Sequence, residues 1–475
     1  MASPAEAAHI RTTALIVASA LFMEQLDATV LATALPTMAE HFQVSAMHMS
    51  VALTSYMLSL AVFIPASGKI ADRFGTRPVF CSAILIFTVG SALCGQSHSL
   101  SFLVASRLLQ GLGGAMMVPV GRLLLLRTIP KEEMVAAMSW FLVPALLGPV
   151  VGPPLGGFIV SHLSWQWIFY INLPIGLIGM FLVLRFIDDV TELRHEPFDW
   201  LGLMISGVSL SCLIFGLEIV SRGELQLPYM VAILAVGLGA GAVYLWHAKH
   251  HPAPIINIAL LRVPTFRLSV LGGALTRITG GAMPFLLPLM MQLGFGLSPQ
   301  ASGLITFSSA AGSMLMKASA TRVLRRFGYR RTLVWNGAIA CVFIALIAAF
   351  RPSWPLPVIY GLLLLGGFFQ SLQFTAYNTI AYADIQREQM SDATAFYSTM
   401  QQMMLSLGIC VAAMSLNGSV ALFGRTEPQL PDFSLAFLVV TGISLLASPV
   451  NALLPKDAGD EMAGRRGNAV HSGMR

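Results

Sequence analysis

The chain has 475 residues, of which 56% are hydrophobic and only 11% charged, with mean hydropathy +0.75. Soluble domains carry about 25% charged residues, so the composition excludes an ordinary soluble protein, and the short loops leave no room for a soluble catalytic domain. A pI of 9.2 and a net charge of +6 would suit a nucleic-acid partner, but the basic residues are distributed as topology signals instead.

Apolar segments fall at residues 12–36, 46–66, 79–96, 101–124, 134–160 and 165–187. Two follow at 201–220 and 227–246, and six more at 266–291, 300–319, 332–350, 355–381, 392–417 and 432–454. Each approaches the ~20 residues that a helix needs to cross hydrocarbon. The expectation is an all-α polytopic membrane protein with fourteen spans and both termini on one side. The first segment is too long and too acidic for a signal-peptide core and lacks a small-residue cleavage site, so it is expected to remain as a helix. Residues 188–199 mix acids and bases and read as a linker. The tail from residue 455 lacks periodicity and is expected to be disordered.

Orientation follows from lysine and arginine. Of the 28 such residues, only Arg222, Arg351 and Arg425 fall in the expected outer loops, and only Arg107 and Arg277 fall inside apolar segments away from the inner ends. The rest gather in the alternate loops and termini, which predicts cytoplasmic termini.

An internal repeat divides the chain. RFGTR at residues 73–77 recurs as RFGYR at residues 326–330, an offset of 253, and Gly113 and Gly114 recur as Gly366 and Gly367 at the same offset. Parallel repeats of this kind build two six-helix halves. The expected domains are residues 1–187, a linker with two inserted helices at 188–265, residues 266–454, and the tail at 455–475. The same offset carries Glu24 onto Arg277, which suggests opposite charges at equivalent places in the two halves.

Glu24 and Asp27 stand three residues apart in the first segment and therefore share one helix face. An ionised carboxylate at the bilayer centre costs roughly 2.5–3.5 kcal/mol on insertion scales, so intramembrane acids mark function or an interhelical ion pair. Arg107, in the fourth segment ahead of Gln110, is their evident partner, because a guanidinium keeps its charge and must find an anion or water. Arg277 is the lone cation deep in the second half, placed to neutralise Glu24 or to meet an anionic substrate. Tyr56, Gln110, Trp140, Gln370, Gln373, Asn378 and Gln401 are candidates for a polar cavity, although each alone can serve as an interhelical hydrogen bond. The 25 methionines suit adaptable binding walls as well as ordinary packing.

Three further motifs complete the reading. The loop GKIADRFGTRP carries Gly68, Asp72, Arg73, Gly75 and Arg77 and is expected to form a cytoplasmic gating latch. In the fifth segment Gly148, Pro149, Gly152, Pro153, Pro154, Gly156 and Gly157 predict a bent, closely packed seam, since prolines remove helix hydrogen bonds and glycines let backbones touch. The spacing of His247, His250 and His251 resembles a metal site but is expected to meet lipid headgroups at the inner interface instead. The five cysteines lack disulfide or zinc spacing and read as core residues. No GxxxxGK[ST] loop is present, so ATP is not indicated.

With these motifs in place the chain resembles the major facilitator superfamily. The likeness is to its 14-helix drug:proton antiporter group of the EmrB and QacA type, nearest the MdtD-like members. LDATVLATALP, GKIADRFGTRP, RLLQGLGGAMMVP, LLGPVVGPPLGGFI and SWQWIFYINLPIG carry it, with TRITGGAMPF and RFGYRR in the second half. The chain departs from the pattern at Ala32, where the group has Asn, and at Arg325, where the second loop lacks the acid that Asp72 supplies to the first.

The resemblance implies two six-helix bundles with two inserted helices. It implies a coupling role for Arg107 toward Asp27, and a helix-five antiporter motif that limits leak. The expected function is proton-coupled efflux of small amphipathic compounds from the bacterial inner membrane by alternating access, driven by the proton gradient without a cofactor or metal. The alternatives are export of an endogenous organic anion or metal chelate, and a non-transporting sensor or scaffold. Neither an enzyme nor a nucleic-acid partner is expected; a monomer is compatible with the sequence, which does not identify accessory efflux subunits.

Overall fold

The computed structural model describes residues 4–128, 134–187, 198–222, 227–386 and 389–459. The central linker and the tail from residue 460 lie outside the described residues. Within them the structure is helical, with no strand, as a bilayer solvent requires when every backbone polar group must be satisfied inside its own segment.

Each of the fourteen apolar segments is helical. The first six are α1 (Pro4–Phe42), α2 (Ser50–Phe74), α3 (Thr76–Gly95), α4 (Leu100–Thr128), α5 (Met134–His162), and the short α6 (Trp167–Tyr170) continued by α7 (Asn172–Phe186). α8 (Trp200–Arg222) and α9 (Leu227–His250) form the inserted pair. The remainder are α10 (Pro264–Leu289), α11 (Pro299–Phe327), α12 (Tyr329–Ile347), α13 (Leu356–Ile380), α14 (Met390–Leu422), and α15 (Leu430–Leu445) followed by α16 (Ala447–Ala452). Among the described residues twelve helical stretches are long and apolar enough to cross a membrane; α5 and α11 are not in that count. Large apolar side chains lie open on the outward faces, including Phe181, Met204 and Leu238, as expected where lipid replaces water.

The helices group into two compact units. The first comprises residues 1–215, 234–244 and 298–303, and the second residues 216–233, 245–297 and 304–475.

In the first unit α1 lies along α5 because α5 offers glycine every fourth residue. A Cβ at Gly148 would stand 2.7 Å from Gln25 Cβ, one at Gly152 would collide with Thr29 Oγ1, and one at Gly156 would stand 2.6 Å from the Val30 carbonyl. Backbones this close gain dispersion contacts, which drive helix association where no hydrophobic effect operates between helices. Thr29 Oγ1 also donates to the Gly148 carbonyl at 3.4 Å. The predicted seam is therefore the surface on which the acid-bearing helix rests. A buried core of Val17, Met23, Phe80, Phe87 and Met117 fills the space between α1, α3 and α4.

The second unit reproduces this packing by other means. α10 meets α14 through one glycine on each, Gly281 against the Leu405 carbonyl and Gly408 against the Ile278 carbonyl. Pro288 cannot donate to the preceding turn, and a π-helical turn at Met290–Gly294 follows it.

The repeat is also visible in the two loops. α2 ends at Gly75 (φ 90°) and α11 at Gly328 (φ 76°), backbone conformations that a Cβ would strain. Two residues later Arg77 donates to the Leu184 carbonyl near the end of α7, and Arg330 donates to the Ala452 carbonyl at the end of α16 at 2.7 Å. Each arginine thus satisfies a carbonyl that a helix C-terminus leaves without an intrahelical partner.

Candidate functional site

Asp27 and Arg107 form a buried ion pair, Oδ2 to Nη1 at 2.6 Å, with side-chain exposures of 1% and 0%. The two residues are 80 positions apart and meet because α1 is held on α5 while α4 packs close against α2 and α3. Gln110, one turn beyond Arg107 on α4, shares its face. Gln110 Nε2 donates to Asp27 Oδ1 at 2.9 Å, and Asn172 Nδ2 from α7 donates to the same oxygen at 2.9 Å. Both oxygens of Asp27 are therefore held by donors on neighbouring helices.

A second ring of contacts supports the first. Arg107 Nε donates to the Ala52 carbonyl at 2.9 Å, and Nη1 also donates to Gln110 Oε1 at 2.6 Å. Ser91 Oγ on α3 accepts from Asn172 at 3.0 Å and from Gln110 at 3.3 Å while donating to the Phe169 carbonyl at 2.9 Å. The Tyr56 ring lies 4.3 Å from the guanidinium carbon, within range of a desolvated cation–π contact.

Four buried atoms at this centre have no hydrogen-bond partner among the described residues: Glu24 Oε2, Arg107 Nη2, Tyr56 Oη and Asn172 Oδ1. Glu24 is 7% exposed. Within one helical face Asp27 is thus saturated with donors, whereas Glu24 keeps an unused carboxyl oxygen.

The second unit holds Arg277, its one buried cation among the described residues, differently. Arg277 is 3% exposed, and its Nη2 donates to Asn378 Oδ1 at 2.7 Å, Tyr397 Oη at 2.9 Å and Gln401 Oε1 at 3.2 Å. The Tyr397 and Phe374 rings lie 4.7 and 6.0 Å from the guanidinium carbon. All of these partners are neutral. The described partners of Glu24 and of Arg277 do not include one another, and the two residues belong to different units.

The other sequence candidates separate by environment. Gln110 and Tyr56 belong to the Asp27 centre, and Asn378 and Gln401 to the Arg277 cage. Gln373 accepts from Asn336 at 2.9 Å and donates to the Leu333 carbonyl at 3.0 Å, an interhelical clamp between α13 and α12. Gln370 Nε2 is buried with no hydrogen-bond partner among the described residues, beside a small cavity of about 10 Å³ that also touches Gln373, Thr276 and Ser444. The side chains of Trp140 and Pro149 lie outside the described residues. Gly157 packs against Pro299, and Gly303 against the Pro153 carbonyl, so the antiporter-like segment also receives the first turn of α11.

Sequence reasoning did not assign roles to Asn172, Ser91 or Tyr397. Asn172 stands inside SWQWIFYINLPIG, where an amide beyond the apolar residues 167–171 was the available signal. Ser91 and Tyr397 carried no comparable mark, because a serine or tyrosine in a membrane helix is common.

Comparison with known proteins bears on this arrangement. The Major Facilitator Superfamily profile matches residues 17–409. A protein of Klebsiella pneumoniae (strain 342) named for multidrug resistance, MdtD, is 36% identical over 470 residues, covering 97% of this chain and 98% of its own length. The MdtD of Pectobacterium carotovorum subsp. carotovorum (strain PC1) is 38% identical over 414 residues, covering 86% and 88%. Among solved structures, an auto-inhibited POT family peptide transporter superposes with TM-score 0.65 at 16% identity, over 95% of this chain and 97% of that one. The human organic anion transporter MFSD10 superposes with TM-score 0.62 at 15% identity, over 95% and 100%. At such identities the solved structures speak to fold alone. The profile match over most of the chain and the relatives at 36–38% identity show that this chain is a member of the Major Facilitator Superfamily.

Proposed function

We propose that the protein is a proton-coupled exporter of small amphipathic compounds, working by alternating access between its two repeats. It is read as a multi-pass protein of the bacterial inner membrane with fourteen spans and cytoplasmic termini, using the proton gradient without ATP. The observation that carries this reading is the pair of acids on one face of α1. Asp27 is locked to Arg107, Gln110 and Asn172, and Glu24 retains a carboxyl oxygen without a partner. Glu24 is the group that can take a proton without breaking an ion pair, and Asp27–Arg107 is the pair whose breaking would be felt by four helices. The glycine seam of α5 supports α1 at Gln25, Thr29 and Val30, so a change at the acids is transmitted to packing rather than absorbed by slack. The names of the full-length relatives support a multidrug substrate class.

A second reading has its own support. Arg277 sits among neutral partners, which suits an anionic substrate such as an organic acid or its metal chelate. The two readings share coupling and differ in cargo.

Reconstitution into vesicles containing a pH-sensitive dye tests both. Addition of a substrate is expected to drive proton release across the membrane, with lipophilic cations effective under the first reading and citrate-like anions under the second. Glu24→Gln is expected to abolish substrate-driven proton movement while leaving the protein folded. Normal proton exchange by Glu24→Gln would overturn the assignment of the proton to Glu24, and no proton movement with any compound would overturn coupling.

A further inference from the structure

The second copy of the inner loop differs from the first in the residues that surround it. A groove of about 400 Å³ opens between the first turns of α12 and the end of α16. Its wall holds three cations, Arg330, Arg331 and Lys456, with the rings of Phe327 and Trp335, and no carboxylate among the described residues. Arg330 is anchored by its bond to the Ala452 carbonyl. Arg331 and Lys456 are exposed and make no hydrogen bond or ion pair with a described residue. Trp335 is 70% exposed and Phe327 50%.

The repeat separates what the loop needs for folding from what has been added. Gly75, Arg77 and Phe74 in the first copy correspond to Gly328, Arg330 and Phe327 in the second, and both arginines cap a helix end. The remaining groove residues have no such counterpart. Arg331 stands where the first copy has Pro78, and Trp335 where it has Ser82. The second copy has exchanged two neutral residues for an arginine and an indole. Arg331 and Trp335 are four residues apart on α12 and so share one face.

We propose that this groove binds the phosphodiester headgroup of an anionic phospholipid. A guanidinium fork matches two phosphate oxygens, and the Lys456 ammonium adds a point charge. Basic pockets between membrane helices recognise such headgroups, and an indole finds its favoured position at headgroup depth, with its body against the first carbons of the acyl chains. A free phosphate would use the cations and leave Trp335 and Phe327 in water. The inference goes beyond transport and needs no substrate to be tested.

The test is native mass spectrometry of the full-length protein in detergent, titrated with phosphatidylglycerol and with phosphatidylcholine of the same acyl chains. The unsubstituted protein is expected to retain phosphatidylglycerol at lower concentration, and the double variant Arg331→Gln, Lys456→Gln to lose about tenfold of that preference. The variant Arg322→Gln, Arg325→Gln, equal in charge but outside the groove lining, is expected to keep it. Thermal unfolding without added lipid checks that the variants fold, and the single variants Arg331→Gln and Lys456→Gln carry the test if the double one does not. No preference in the unsubstituted protein would overturn the proposal. So would equal loss in the Arg322, Arg325 variant, which would signal a diffuse field. Displacement of phosphatidylglycerol by equimolar inorganic phosphate would identify a free-anion site instead and would overturn it too.

Discussion

Arg107 and Arg277 are both arginines buried to within a few per cent on membrane helices, and the two units hold them in opposite ways. Arg107 is neutralised within hydrogen-bond distance by Asp27 and backed by a ring of amides, a serine and a tyrosine face. Arg277 receives only dipoles and aromatic faces, from Asn378, Gln401, Tyr397 and Phe374. Their helical frameworks are repeated, down to a glycine turn and a capping arginine at Gly75 and Arg77 and again at Gly328 and Arg330, but the buried charges are not: the offset that relates the loops carries Glu24, not Arg107, onto Arg277. Repetition of a fold supplies two similar scaffolds, and the side chains placed on them decide that one stores a closed ion pair and the other a cation among neutral partners.

The comparison is broken most directly at Asp27. Asp27→Asn leaves a fully buried guanidinium without its carboxylate, a change that typically costs about 3–5 kcal/mol. The thermal unfolding midpoint in detergent should fall sharply, and substrate-driven proton release should be lost. Normal stability would mean that water or another group replaces the pair. Asn172→Ala removes one donor to a charged oxygen and should cost about 1.5–3 kcal/mol, read as a smaller drop in the same midpoint. Gly152→Ala places a methyl on Thr29 Oγ1 and should cost about 1–3 kcal/mol by overpacking. Adding Thr29→Ala, which removes that hydroxyl, tests the cause, because a double-mutant cycle should show coupling between positions in contact. Arg277→Met removes a buried cation together with its desolvation cost but leaves the Asn378, Tyr397 and Gln401 oxygens without their donor. No carboxylate among the described residues is orphaned, so the midpoint should fall by the equivalent of about 1–3 kcal/mol, less than for Asp27→Asn. If Arg277→Met destabilised as much as Asp27→Asn, the contrast between the two centres would fail.

Much of the helical framework was legible in the residues themselves. Runs of apolar residues announce helices because hydrocarbon forbids unsatisfied backbone, so each segment declares itself without reference to any other. The loop repeat and the distribution of lysine and arginine are equally local. Asp27 and Arg107 were legible as partners because ions are too costly in a membrane to be left alone. The polar candidates were less so: Gln373 turned to Asn336 and a backbone carbonyl, while Gln110 and Tyr56 joined the ion pair. A glutamine carries the same amide in either role.

Composition and periodicity by themselves determined the class of solvent, the helices, the repeat and the presence of intramembrane charge, since each depends on residues close in the chain. Tertiary structure alone decided which helix face meets which. It brought Asn172 to Asp27 across 145 positions, left Glu24 Oε2 without a partner, and gave Arg277 a neutral cage. Those outcomes depend on helix rotation, and rotation is set by where small residues let backbones touch, a property of pairs of helices that no single segment contains.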